Sequence, residues 1–419
     1  MDANDALPPR PGRNTAVPPS PDDLHALLRL ATCGGRVAPR RALLERAGSP
    51  QAALAGGTSL WRACGLSGEQ VAVLRGTGTA GLATAIDWLQ RPGHHLIGWH
   101  DPDYPPLLRR IASPPLALFV AGDPGLLWYP AVAIVGSRRP TPAGRDNARS
   151  FAGALARSGL VIASGLASGT DTAAHAAALD AGTDGCAATV AVLGTGPDVP
   201  YPRSNTDLHA RIAANGAIVS EHPPGTGPRK EHFPSRNRIL AGLALGTLVI
   251  EAAWRSGALI TARLAAEAGR EVFALPGSIH NPMARGCHRL IRDGAALVES
   301  PAEVADTLGP LATALAGDLR RRLERTDAAP RSGDRDGVHA AVTAPGDDAR
   351  RTVSRQDLNH PCDDPHHNKL WAALGHDPTD MDQLVERSGL TTAQVSSMLL
   401  LMELDGRVTV QHGRYFRSH

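Results

Sequence analysis

The stretch His232-Phe233-Pro234-Ser235-Arg236-Asn237-Arg238-Ile239-Leu240-Ala241-Gly242-Leu243, followed by the β-rich run 247–250, reads as a helix leading into a strand. Proline suits the first turn of a helix, so Arg236 and Asn237 are expected in the opening turn. Such a turn offers free backbone N–H groups and the positive end of a dipole, a natural anion site. Two guanidiniums add bidentate recognition of phosphate oxygens. An Arg-Asn-Arg tripeptide alone is more often a surface pair at a helix start; its neighbours along the chain change that balance.

Outward from this segment, short β-rich runs at 132–135, 160–163, 189–193, 217–219, 247–250 and 272–275 alternate with helical patterns around 142–158, 170–181, 204–214, 236–244 and 257–268. Continuous apolar strands spaced by crossover helices predict a mostly parallel sheet covered on both faces, a doubly wound α/β domain over about 91–305. Residues 1–21 carry six prolines and read as a disordered tail, and 22–90 as a helical module of the helix-hairpin-helix or SAM kind. The span 306–365, rich in Arg, Asp, Ala and Pro, reads as a disordered linker. Beyond it, 366–419 shows two short helices, a Thr-capped helix and a hairpin, the pattern of a winged helix. Few basic residues fall on its third helix, which favours a protein contact over duplex DNA.

The 419 residues suffice for two or three domains. Net charge is only +2, so polyanion binding must come from local arginine clusters. The five cysteines are scattered and form no Cys-x-x-Cys, which fits a reduced, cytoplasmic compartment. Cys362, His366 and His367 lack a second ligand pair, so no metal is expected. No apolar run reaches the roughly 18 residues of a membrane helix, and the Pro-rich, acidic N-terminus is not a signal peptide.

Ligands of open parallel sheets bind beyond the carboxyl ends of the strands. Here those ends carry Gly136-Ser137-Arg138-Arg139-Pro140-Thr141, Ser164-Gly165 through Asp171, Gly194-Thr195-Gly196 with Arg203 nearby, Ser220-Glu221, Glu251 with Arg255-Ser256-Gly257, and Pro276-Gly277-Ser278. Glycine admits a ligand close to the backbone, and hydroxyls and helix N-termini supply anion donors. One such loop is an ordinary tight turn; six decorated alike point to a large anionic ligand. No strand leads into Gly-x-Gly-x-x-Gly, and neither Lys230 nor Lys369 sits in a Walker A loop. A polynucleotide backbone remains, contacted by Arg138, Arg139, Arg203, Arg236, Arg238 and Arg255. Asp171 and His175 share a helical face, and with Ser164 or Ser168 sketch a triad, but a cap and a packing histidine explain them better. Gly-x-Ser-x-Gly is absent. Glu221 and Glu251 read as caps or as orienters of nearby arginines. No catalytic residue and no cofactor is expected.

The order GSR-x-P-T (136–141), SGLA-x-G-x-D-x-x-AH (164–175), TVAVLGTG-x-D-x-x-YP-x-x-N (189–205), FP-x-RNRI-x-AGL (233–243), EA-x-x-SG-x-LITA (251–262) and GR-x-VFA-x-PGS (269–278) resembles the DNA-processing protein A (DprA/Smf) family, over about 98–300. The resemblance implies an extended Rossmann-like core that binds single-stranded DNA, forms homodimers and hands the strand to the RecA recombinase in natural transformation. It implies a pocket of Gly136, Ser137, Arg138, Thr141, Ser164, Gly165, Arg236, Asn237 and Arg238; Arg139, Gly194, Arg203, Ser256 and Gly257 complete the expected DNA-binding set. Ser168 stands where the family often has arginine, Ala143 where it often has tyrosine, and Ala188 where lysine is common. The rival reading is a Rossmann-like nucleoside-phosphate hydrolase using Glu221 or Glu251, and a third is a structural adaptor.

Overall fold

The computed structural model describes residues 20–76, 80–182, 189–327, 365–375, 377–404, 407–411 and 414–417. Residues 1–19 of the expected tail, 328–364 of the expected linker, Ala188, Cys186 and Cys362 lie outside them.

Six helices come first: α1 (Pro21–Thr32), α2 (Val37–Ala47), α3 (Pro50–Ala55), α4 (Gly57–Ala63), α5 (Gly68–Arg75) and α6 (Ala80–Leu89). Their starts follow local chemistry. Ser20 accepts from the Asp23 N–H, Ser49 from the Ala52 N–H, and Ser67 forms a capping box with Gln70. The sheet domain then runs β1 (His94–Gly98), α7 (Pro106–Arg109), β2 (Ala117–Gly122), β3 (Ala131–Gly136), α8 (Pro142–Arg157), β4 (Val161–Ser164), α9 (Thr170–Asp180), β5 (Thr189–Leu193), α10 (Thr206–Asn215), β6 (Ala217–Ser220), α11 (His232–Leu243), β7 (Gly246–Ile250), α12 (Gly257–Glu267), β8 (Glu271–Ala274), α13 (Arg285–Arg292), β9 (Ala296–Leu297) and α14 (Pro301–Asp327).

Nine strands form one sheet in the order β1-β2-β6-β5-β4-β3-β7-β8-β9. From β6 to β9 every neighbour is parallel; β2 joins β6 antiparallel, and β1 joins β2 antiparallel. The expected mostly parallel, doubly wound sheet is the observed one. Strand order reverses between β3 and β7, the topological switch point of an open α/β sheet. Strands β3, β4, β5 and β7 are buried nearly throughout because both faces are covered, which explains their unbroken Val, Ile, Leu and Ala runs. One hydrophobic cluster packs Phe151 and Leu155 of α8 on Val132, Ile134, Ile162 and Leu248.

Two domain expectations are corrected. The N-terminal helices have a core of their own around Leu43, Trp61 and Val71, yet Leu28, Ala85 and Trp88 join Phe119, Leu193 and Ile218 in a shared cluster. The boundary at residue 91 therefore does not separate two cores. The linker cannot begin at 306, because α14 continues to Asp327. Val304, Leu308 and Leu315, spaced for one helical face, pack into the sheet's cluster beside Leu248 and Phe273. Averaged composition concealed that stripe, since only a few positions are large and apolar.

The second compact unit holds α15 (Pro365–Leu374), α16 (Met381–Ser388), α17 (Thr392–Leu404) and the hairpin β10 (Val408–Gln411) with β11 (Arg414–Arg417). Asp380 caps α16, and Thr391 with Gln394 forms the reciprocal cap of α17. Leu370, Leu384, Val395, Leu399 and Met402 make its core. This is the winged helix expected from the C-terminal pattern. No helix among the described residues is long and apolar enough to cross a membrane.

Candidate nucleic-acid interface

Parallel strands deliver their loops to one rim, and here the loops after β3, β4 and β5 are tied to one another. Gly169, at φ 86°, lies against the loop after β3. A Cβ there would sit 2.5 Å from the Ser137 carbonyl oxygen and 2.7 Å from the Arg138 carbonyl carbon. Thr170 donates its backbone N–H to that same Ser137 oxygen at 3.1 Å. Across the next gap, Arg236 Nη1 donates to the carbonyls of Gly165 and Val192, bridging the ends of β4 and β5. At the start of α11, His232 Nδ1 lies 3.1 Å from the Gly194 carbonyl oxygen.

This arrangement corrects the role expected of Arg236. The helix begins at His232, so Pro234 is its third residue and Arg236 its fifth, beyond the first turn. The side chain is 6% exposed and committed to internal carbonyls, with Nε donating to Asn237 Oδ1 at 3.1 Å. Its electrostatic partner is buried Asp171, whose carboxylate accepts from the Gly165 and Ala167 N–H groups at 3.1 and 3.2 Å. Burial pushes the Asp171 carboxyl up, and the Arg236 charge opposes that shift. Gly165 is small because a Cβ there would meet the guanidinium closer than 3.0 Å. It admits Arg236 rather than a ligand. Ser164 is likewise fully buried and donates to the Ile134 carbonyl at 2.7 Å.

Arg138 differs. It is exposed, and no carboxylate among the described residues pairs with it. After burial and the Asp171 charge, the Arg138 charge is what Arg236 feels most, and it lowers the Arg236 pKa. The loop that carries Arg138 is joined by the Thr170 N–H to the loop that Arg236 braces from beneath. Exposed Arg139 lies beside Arg138, its N–H held by Ser137 Oγ at 3.0 Å. Arg203 is exposed after β5, and Tyr201, 43% exposed, lies 5.1 Å from the Phe233 ring. Asn237 is half-buried next to the Arg236 fork.

Arg238 turns the other way along the rim and pairs with Glu221 at 2.5 Å. Beside it His222 stacks on His232 at 3.8 Å; burial pushes His222 down to about 4, with the charges of His232, Arg238 and Arg229 adding to the shift. At the switch point the loops after β3 and β8 are tied through Glu251. Glu251, a non-glycine at φ 54°, accepts from the Thr141 N–H at 2.7 Å, the Thr141 hydroxyl at 2.5 Å and Asn281 Nδ2 at 3.0 Å. Thr141 in turn caps α8 through the Gly144 N–H. Thr141 is thus spent on the frame, and Glu251 orients a threonine and an asparagine rather than an arginine. Asn281 went unnoticed in the sequence because nothing local distinguishes it. Gly136 lies so close to β7 that a Cβ would meet the Ile250 oxygen. Ser256 caps α12 through the Ala258 N–H, and Gly257 is exposed. No hydrogen bond among the described residues joins Ser256 or Gly257 to the Arg138–Arg236 cluster. His175 is a core histidine, fully buried with Nδ1 2.8 Å from Thr189 Oγ1, and burial drives its pKa down to about 3.

The architecture defines an extended Rossmann-like α/β protein whose switch-point loops are joined through Glu251 and whose exposed arginines stand along the strand-end rim, with a winged helix following. The family model for DNA recombination-mediator protein A matches residues 95–309, and that for the DprA winged helix domain matches 355–414. Protein Smf of Escherichia coli (strain K12) is 38% identical over 341 residues, covering 80% of both chains. The X-ray structure of DNA processing protein A (DprA) from Streptococcus pneumoniae superposes with a TM-score of 0.60 at 38% identity, over 67% of this chain and 96% of that one. A structure of DNA processing protein A from Helicobacter pylori, described for its single-stranded DNA binding mode, aligns with a TM-score of 0.45 at 32% identity over 49% of this chain and 92% of that one. The chain belongs to the DprA/Smf family of DNA-processing proteins.

Proposed function

We propose that this protein binds single-stranded DNA without catalysis along the rim of its parallel sheet, and that it mediates recombination in natural transformation as a cytoplasmic homodimer that passes the strand to the RecA recombinase. The observation that carries the reading is Arg138: an exposed, carboxylate-free guanidinium held beside a buried, braced Arg236. Arg139 and Arg203 extend the same run of free charge, while Arg236, Gly165, Ser164 and Thr141 hold the loops in place. Tyr201 against Phe233 offers an aromatic surface to a base, which suits a flexible single strand better than a duplex.

The hydrolase reading loses its candidates for a base. Glu221 is ion-paired, and Glu251 is saturated by three internal donors. An unpaired β9 edge with Leu297 47% exposed is where a second copy is proposed to join. Sedimentation velocity and RecA nucleation on protein-coated single strands test the dimer and the hand-over.

The central test is fluorescence anisotropy with oligo-dT against matched duplex over a salt series. Each phosphate contact on a single strand contributes a log–log slope of about −0.7. Arg138→Ala is expected to flatten the slope by about 0.7 and to weaken binding roughly tenfold, the loss of one charge-assisted contact. Salt-insensitive binding, or an unaltered variant, overturns the assignment.

A further inference from the structure

The rim does not stop at β6. Register carries it further: Phe119 of β2 faces Ser220 of β6, and Ala117, two residues earlier in β2, faces Gly98 of β1. Trp99, next in the chain, therefore stands on the same edge of the sheet as Glu221, with its N–H bonded to the Leu116 carbonyl at 2.8 Å. Five strand steps of about 4.8 Å separate β3 from β1, so this point lies about 24 Å along the rim from the Arg138 loop.

Two guanidiniums flank the indole. Arg41, from α2 of the helical module, has its Cζ 5.8 Å from the ring centroid; Arg109, from the end of α7, lies at 5.5 Å and also 5.2 Å from the Tyr104 ring. Neither has a carboxylate partner among the described residues. Arg109 Nη2 donates to the Asp101 backbone carbonyl at 2.6 Å. The nearby carboxylates are already engaged: Asp101 with the Gly98 N–H and His100, and Glu221 with Arg238. Two buried donors here, Arg41 Nε and Trp99 Nε1, have no partner among the described residues, and Arg238 Nη1 is a third on the neighbouring element. Buried donors left unpaired are costly, and their convergence beside uncompensated positive charge marks a place built for acceptor oxygens. Arg41, Arg109, Arg238 and Glu221 all act on the buried Tyr104 hydroxyl, which places them around one spot.

We propose that Arg41, Trp99 and Arg109 form a second contact site for the phosphodiester backbone of single-stranded DNA, at the seam between the helical module and the sheet, where the strand continues after leaving the Arg138 loop. This rests on the reading of the rim given above. It gives the N-terminal helices a part in the ligand path: α2 supplies one cation, and Leu43 and Leu44 of that helix share a core with Leu116, the residue just before β2.

Anisotropy titrations with oligo-dT of about four and about twenty nucleotides separate the two contact sites, lengths at the lower bound of the usual span of a single-strand groove and beyond its upper bound. In the full-length chain, the Arg41→Gln/Arg109→Gln pair is expected to weaken the long oligomer roughly tenfold. It should also flatten that oligomer's salt slope by about 1.4, two contacts' worth, and leave the short one unchanged. The Arg41→Lys/Arg109→Lys pair should restore most of the slope. A seam that only fastens helix to sheet would shift the thermal midpoint without touching the length dependence, and that result overturns the proposal. Arg138→Ala, by contrast, weakens both lengths. If wild type binds neither length, the reading of the whole rim fails and this site with it. Should the glutamine pair not fold, photo-cross-linking of wild type to a long oligomer ending in 5-iododeoxyuridine decides: adducts on the peptide around Trp99 and Arg109 support the site, and their absence overturns it.

Discussion

Arg236→Ala is expected to cost about 3–5 kcal/mol of folding stability, the range for leaving a buried charge uncompensated. The loss has two sources. Asp171 remains buried with its carboxyl uncompensated, and the carbonyls of Gly165 and Val192 lose their shared donor. DNA affinity should fall in the same variant, because the loops after β4 and β5 are no longer braced. Arg138→Ala is the informative contrast, with stability expected within about 0.5 kcal/mol of wild type and affinity lost all the same. Urea denaturation at neutral pH beside anisotropy separates the two. If Arg236→Ala folds as stably as wild type and only flattens the salt slope, Arg236 is a phosphate grip after all.

The second large effect concerns a glycine whose neighbours leave no room. Gly136→Ala places a methyl group against the Ile250 backbone oxygen and the Thr170 side chain, closer than 3.0 Å. Because Gly136 and Ile250 face each other in adjacent parallel strands, relief requires β3 and β7 to part. A cost of about 3 kcal/mol or more is expected, at the upper end for overpacking in a rigid frame. Gly257 belongs to the same set of strand-end glycines, yet a Cβ there meets nothing within 4 Å. Gly257→Ala should therefore change stability by no more than about 0.5 kcal/mol. Equal costs for the two would show that the strand-end glycines serve one purpose, which the geometry denies.

Much of the frame was legible from local pattern. Buried parallel strands are continuous apolar runs, helices between them carry a period near 3.6, and Thr391 announces the start of α17 through a short-range hydrogen bond. The winged helix was legible for the same reason. Element α14 was not, since its buried stripe of Val304, Leu308 and Leu315 is thin and set among small and charged residues. Strands β1 and β2 are harder to read: β1 is short and opens on His94 and His95, and the apolar run of β2 follows closely on Pro114 and Pro115.

The site divided along a similar line. That arginines, glycines and hydroxyls gather at strand ends follows from the chain, because a parallel sheet sends every such loop to one rim whatever its details. Which of them face solvent does not. Arg236 and Arg138 have the same side chain, but one ends between two carbonyls over a buried aspartate and the other in water. That difference arises from contacts between segments dozens of residues apart, and no spacing rule encodes it. The same holds for Trp99 with Arg41 and Arg109, brought together from three elements by the register of β1 on β2 and the packing of a helical module against the sheet. Local sequence sets what each segment can become; burial and partner, decided only when distant segments meet, set whether a guanidinium braces the fold or reaches for a ligand.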